Sequence, residues 1–219
     1  MKIKRFAVFS SIFSRVTWSI LDARVGAGNV TDDAVIIANS IDLQARGGSI
    51  GQASGGGGDI EIDSSRLATG DVGLEATNDI YLTEVANTLR LVQARTPTSP
   101  GTSGGGNIRL KVRESKSPAS LQENLDLLVS GSVLFDENAP RAVQNGFIRA
   151  GGWVELRIGD DLIDHANTSI SAGDRIDIYL DDLNNGSADG DSGFGANTTL
   201  LGTITQPIFS GVVVVRTVQ

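Results

Sequence analysis

Residues 57–91 read GGDIEIDSSRLATGDVGLEATNDIYLTEVANTLRL, and the reading of this stretch decides the fold class. An apolar-x-apolar triplet recurs in it, each time close behind Asn or Asp: Ile60-Glu61-Ile62, Ile80-Tyr81-Leu82 and Leu89-Arg90-Leu91. The middle residue is polar or charged each time. That is the two-residue alternation of a β-strand, not the 3.6-residue period of a helix. Triplets of the same form stand on either side, at Ile41-Asp42-Leu43, Ile108-Arg109-Leu110, Leu125-Asp126-Leu127, Val154-Glu155-Leu156 and Ile176-Asp177-Ile178.

Ile41, Ile60 and Ile80 lie 19 and 20 residues apart. A period near 20 in a β-rich chain is the signature of a solenoid, whose units bury their apolar edges only by stacking on one another. Later intervals are uneven, with 28 residues from Ile80 to Ile108 and 29 from Leu125 to Val154. They call for insertions, and residues 96–106 (TPTSPGTSGGG) and 137–146 (ENAPRAVQNG) read as the loops that hold them.

The composition fits closely spaced strands. Of 219 residues 40% are hydrophobic but only 5% aromatic, and 27 are glycine, so Val, Ile, Leu and Ala must fill the core. With no cysteine there is no disulfide framework, thiolate metal site or cysteine nucleophile. The single His165 removes every site that needs two imidazoles. Net charge is −8, and residues 155–191 hold ten acidic residues against Arg157 and Arg175, so that window alone carries 2 − 10 = −8. Nucleic acid is therefore not an expected partner, because phosphate binding needs clustered Lys and Arg. No apolar run reaches the roughly 20 residues of a membrane-spanning helix.

Residues 1–29 form an N-terminal segment with three early basic residues and the apolar text FAVFSSIFS, which loosely imitates a signal peptide. Arg15 breaks it, so a leading strand is the preferred reading. From residue 30 to 219 the text predicts one β domain. Short strands fall at 35–37 and 41–45, separated by Asn39-Ser40, with a turn at Gly47-Gly48 and a Gly/Ser loop at 52–58. Asn39, Asn78, Asn107, Asn124 and Asn167 precede apolar positions and suit corners, where stacked side chains would form ladders. Residues 117–124 admit one short helical turn, and 197–204 and 210–218 read as closing strands.

With GGSIG (47–51), GDVGLEATNDIYL (70–82) and ISAGDRIDIYLDD (170–182) in view, the chain resembles the β-helical repeat regions of large bacterial surface proteins of the filamentous haemagglutinin-like adhesin type. The likeness covers most of residues 30–202. It implies a right-handed parallel β-helix that serves as a stalk or binding surface outside the cell. The chain is far shorter than such adhesins and lacks their secretion motif, so it reads as part of a longer repeat chain. The expected fold is thus a right-handed parallel β-helix (β-solenoid) of seven or eight rungs, about 20 residues each with loop insertions.

Chemistry is written less clearly. Residues 181–195, DDLNNGSADGDSGFG, bring Asp181, Asp182, Asn184, Asn185, Asp189 and Asp191 together with glycines. Calcium takes six to eight oxygens from a flexible loop, so it is the cation this segment would hold. The closing Glu of the helix-loop-helix calcium pattern is missing, as is the G-G-x-G-x-D nonapeptide, and a merely solvated acidic loop explains the text as well. Asp32-Asp33 and Asp160-Asp161 offer the paired carboxylates of glycoside hydrolysis, which any acidic β chain supplies by chance. Asp164 and His165 are strand neighbours, so they point to opposite faces and make no dyad. The glycine clusters match no phosphate-binding pattern. Arg90, Arg109, Lys111 and Arg113 would form an outward basic stripe, diluted by Glu61 and Asp126. Trp18, Trp153, Tyr81 and Tyr179 are the aromatics available to stack on sugars.

The leading expectation is a non-enzymatic extracellular or cell-surface structural or adhesive segment, with carbohydrate or a host or cell-surface protein as partner. One alternative is a β-helix polysaccharide lyase or hydrolase using Asp160, Asp161 and Asp164 with Arg157 or Arg175. Another is a calcium-stiffened spacer.

Overall fold

The computed structural model describes residues 2–3, 9–22, 34–53, 58–65, 70–97, 105–114, 122–136, 139–181, 200–205 and 213–217, which hold strands and no helix. The first seven strands are β1 (Lys2–Ile3), β2 (Phe9–Val16), β3 (Leu21–Asp22), β4 (Ile36–Ala45), β5 (Ile60–Asp63), β6 (Val72–Ala76) and β7 (Ile80–Glu84). Then follow β8 (Leu89–Arg95), β9 (Ile108–Val112), β10 (Leu125–Leu127), β11 (Ser130–Asp136), β12 (Ala139–Gln144) and β13 (Phe147–Ala150). The last six are β14 (Val154–Ile158), β15 (Leu162–Ile163), β16 (Ser169–Ala172), β17 (Ile176–Leu180), β18 (Thr203–Thr205) and β19 (Val213–Thr217). All eight triplets singled out above lie in strands.

Fifteen of these strands form one curled parallel sheet, bent at β4. The N-terminal end of β4 pairs with β5, and its C-terminal end, from Ile41 to Ala45, pairs with β6. The sequence suggests two strands here; the structure holds one ten-residue strand that turns a corner at Asn39-Ser40 without breaking. The first arm runs β2, β4, β6, β8, β13, β16, β18, and the second β5, β7, β9, β14, β17, β19. After β4 the main strands alternate between the arms, so the chain crosses the core with each step. Short strands β10 and β15 stack beside the N-terminal end of β8.

Inward side chains of both arms merge into one aliphatic core. Its clearest column is Ile20, Ile50, Ile80, Ile108, Val154 and Ile176, each paired in register with the next. β-branched side chains suit this position because they are stiff and fill the space above a pleated neighbour. Fully burying one such side chain stabilises by about 1.5–3 kcal/mol. The register corrects the spacing read from the triplets. Ile41 pairs with Val72 in the first arm, whereas Ile60 pairs with Leu82 and Ile80 with Ile50 and Ile108 in the second. Paired residues are 20 apart at Leu74 and Ala94, 22 apart at Val154 and Ile176, and 46 apart at Ile108 and Val154.

The longest step holds a second correction. Residues 137–146 are not a simple loop, for β11 and β12 pair antiparallel as a hairpin. β11 lies against β2, β4, β6 and β8. Val92, Leu128, Val133 and Val143 form a small apolar cluster there, separate from the main core. Gly73 permits the approach, since a Cβ on it would meet Val133 Cγ1 at 2.5 Å. Residues 122–124, at the end of the segment expected to form a helical turn, are not helical. No helix among the described residues is long and apolar enough to cross a membrane.

Candidate functional site

Where the chain turns into the second arm, side chains take over the hydrogen bonding that the ladder cannot complete. Ser49 N–H donates to Ser19 Oγ at 3.0 Å and Asp79 N–H to Ser49 Oγ at 3.2 Å. Asn107 N–H donates to Asp79 Oδ1 at 2.8 Å, and Trp153 N–H to Asn107 Oδ1 at 3.1 Å. A parallel corner carries Asp161 N–H onto Asn124 Oδ1 at 3.0 Å. Asn107 and Asn124 thus do what the sequence assigned to its corner asparagines. Asn167 takes the left-handed φ of 73° that also suits a corner, and Asn39 Oδ1 is buried with no hydrogen-bond partner among the described residues.

The outer face of the second arm is a lattice of charge and aromatic rings. Asp59, buried, takes Arg109, Lys111 Nζ at 3.1 Å and the Thr83 hydroxyl at 2.9 Å. The Arg109 guanidinium lies 4.8 Å from the centre of the Tyr81 ring, whose neighbour is Trp153 at 6.2 Å. Arg157 covers Tyr179 at 4.4 Å and pairs with Glu155 at 2.7 Å; Arg175 covers Trp153 at 5.7 Å and pairs with Asp177 at 2.7 Å. The expected basic stripe is therefore neutralised. Arg109 and Lys111 share one acid, and Arg90 sits on the other arm with Asp71 at 3.2 Å and Asp126 at 3.7 Å. Tyr81 is buried and offers no open face to a sugar, Trp153 and Tyr179 are half-buried beneath arginines, and Trp18 alone is broadly exposed.

Two of the carboxylates named for a lyase or hydrolase hold backbone groups. Asp160 Oδ2 accepts the Glu123 N–H at 2.7 Å, and Asp164 accepts the N–H groups of Leu201 and Gly202, both at 2.7 Å. His165 Nε2 is 3.0 Å from Asp126 Oδ1 on β10, a partner that sequence adjacency did not suggest. Asp181 follows β17 half-buried with φ of 58°, while Asp182, Asn184, Asp189 and Asp191 of the calcium segment, like Asp32 and Asp33, lie outside the described residues.

Two acidic features are visible only in three dimensions. Glu84 is fully buried on the inner face, in register between Ile62 and Val112. Burial pushes its carboxyl well above the ordinary value, against the opposing hydrogen bonds from the Ser64 hydroxyl and from Ser64 N–H at 3.0 Å. Glu114, Glu123 and Asp160 bring three buried carboxylate oxygens within 4.8 Å of one another, a set of donors that suits a hard divalent cation. Glu114 and Glu123 are 9 residues apart and Asp160 lies 37 further on, a spacing that matches no metal motif.

The first arm carries an open cavity with a distinct charge. About 380 Å³ in volume, it lies along the ends of β4, β6, β8 and β13 and is lined by Gln44, Arg46, Glu75, Arg95 and Arg149. Arg95 pairs with Glu75 at 2.9 Å, and Arg46 Nε donates to Gln44 Oε1 at 3.0 Å. The sequence hid this group because its members come from four different steps of the fold. Comparison of the chain with protein-family models, with curated proteins and with solved structures finds no match.

Proposed function

We propose that the chain is a right-handed parallel β-helix that works as a non-enzymatic structural or adhesive segment outside the cell, of the filamentous haemagglutinin-like kind. The observation that carries this reading is the six-residue Ile/Val column from Ile20 to Ile176. Its five steps of about 4.8 Å give a stiff body roughly 24 Å long, in which each unit leans on the next. Such a body presents side chains at fixed spacing, which suits a stalk or a repetitive binding surface. The backbone-holding roles of Asp160 and Asp164 support this reading over a lyase or hydrolase, which needs carboxylates free to face substrate.

The test is location and capture. Fractionated producing cells should carry the chain in the surface or secreted fraction, and immobilised chain should retain a glycan or a surface protein. Recovery only in the cell interior, with nothing retained, would overturn the proposal.

A further inference from the structure

Charge at the cavity of the first arm runs against that of the chain. Three guanidiniums, Arg46, Arg95 and Arg149, face one carboxylate, Glu75, a balance of 3 − 1 = +2 on a chain of net −8. Arg95 is occupied by Glu75. Arg46 is steadied by the Gln44 amide, and Arg149 lies 5.2 Å over the Phe147 ring. Both are exposed, and neither meets an acid among the described residues.

The parallel register sets their spacing. Gln44, Glu75, Arg95 and Arg149 are successive partners across β4, β6, β8 and β13. Arg95 and Arg149 therefore stand one step apart, about 4.8 Å, and Gln44 to Arg149 covers three steps, roughly 14 Å, with Arg46 two residues beyond Gln44. A guanidinium presents a planar fork that takes a carboxylate through two parallel hydrogen bonds. The remaining lining is small or hydroxylic: Ala45, Ala76, Thr77, Thr96 and Pro97. It offers no large apolar side chain to seat those of an acidic peptide. A flat ligand rich in hydroxyls, carrying carboxylates at intervals, matches both the charge and the lining. The volume also falls within the about 300–1,000 Å³ of small-ligand sites.

We infer that this cavity binds a uronate-bearing oligosaccharide, with one carboxylate held by Arg149 and Arg95 and another by Arg46. The inference deepens the adhesive reading and rests on it for its biological sense, while the cavity is testable alone. Titration calorimetry of the full chain with trigalacturonate is the experiment, with triglutamate and a neutral trisaccharide as comparison ligands. Trigalacturonate should bind, and raising salt to about 0.5 M should weaken it, since exposed charges are screened. Arg46→Gln and Arg149→Gln should each weaken binding by about tenfold, the effect of losing one charged clamp. Arg90→Gln, whose guanidinium is held elsewhere by Asp71 and Asp126, should leave it unchanged. Circular dichroism identical to that of the parent chain would show that the exposed substitutions leave the fold intact.

No binding of trigalacturonate by the folded chain would overturn the inference. So would triglutamate binding equally well, which would indicate an acidic peptide or charge alone, or affinity indifferent to both substitutions. In any of these cases adhesion through another face still stands, whereas a chain that retains no glycan and no surface protein sinks the adhesive reading itself.

Discussion

Asn107 Oδ1 accepts the backbone N–H of Trp153 at 3.1 Å, joining two residues 46 positions apart that occupy the same corner of adjacent steps. Asn107 in turn donates its own N–H to Asp79. A corner cannot be closed by the regular ladder, and an unpaired backbone group there loses free energy comparable to a hydrogen bond. Ser, Asp and Asn serve because each carries an acceptor on a short side chain.

Asn107→Ala removes the acceptor for Trp153 N–H and should destabilise the chain by about 1–2 kcal/mol, whereas Asn107→Asp, which keeps it, should cost less than half of that. Urea unfolding of the three proteins measures the difference. Equal stability of Asn107→Ala and the parent would mean the corner ladder contributes nothing.

Glu84 predicts a pH dependence whose sign follows from its burial. Its folded pKa is raised, so the folded state holds the proton more tightly than the unfolded chain does. The associated stability is complete below the ordinary glutamate range near 4.5 and is lost as pH rises through the raised value. Glu84→Gln, which stays neutral, lacks this loss. The stability of the variant relative to the parent should therefore rise between acid and mildly alkaline pH, and urea midpoints across that range would reveal it. A constant difference would show that Glu84 titrates normally.

Gly73→Ala tests the hairpin that lies over the first arm. The new methyl would meet Val133 Cγ1 and Asp42 Oδ1, both at 2.5 Å, so the hairpin must shift. The cost should be about 1–3 kcal/mol, as for other overpacked sites. Gly73→Ala combined with Val133→Ala should cost less than the sum of the two single changes, because both act on one contact. Strict additivity in a thermal or urea double-mutant cycle would place the hairpin elsewhere.

Strand identity was legible because alternation acts over three residues: Ile60-Glu61-Ile62 and Val154-Glu155-Leu156 declare an inner and an outer face unaided. Stacking order was harder to read. It depends on how much chain fills each crossing, and the Ile41-to-Ile60 interval measures a step between arms, not between stacked neighbours. The hairpin escaped notice because Pro140 and Asn145 mark turns in isolation, while β11 and β12 are held together by packing on Val92 and Leu128, far from the turn text. The same limit hid the Arg46, Arg95 and Arg149 cavity and the Glu114, Glu123 and Asp160 cluster. The cavity draws its members from separate steps that only the register brings together, and the carboxylate cluster joins Asp160 to two residues 37 or more positions earlier.

The register itself can be measured directly because the chain has no cysteine of its own. Lys111 and Arg157 are direct partners across β9 and β14, 46 residues apart in sequence. Parallel partners lie at the about 4.4–6.8 Å Cα separation that a disulfide requires. Lys111→Cys with Arg157→Cys should form an intramolecular disulfide under mild oxidation, whereas Lys111→Cys with Tyr179→Cys, separated by two steps, should not. Absence of the first crosslink, or equal yield of both, would contradict the stacked parallel arrangement on which the account rests.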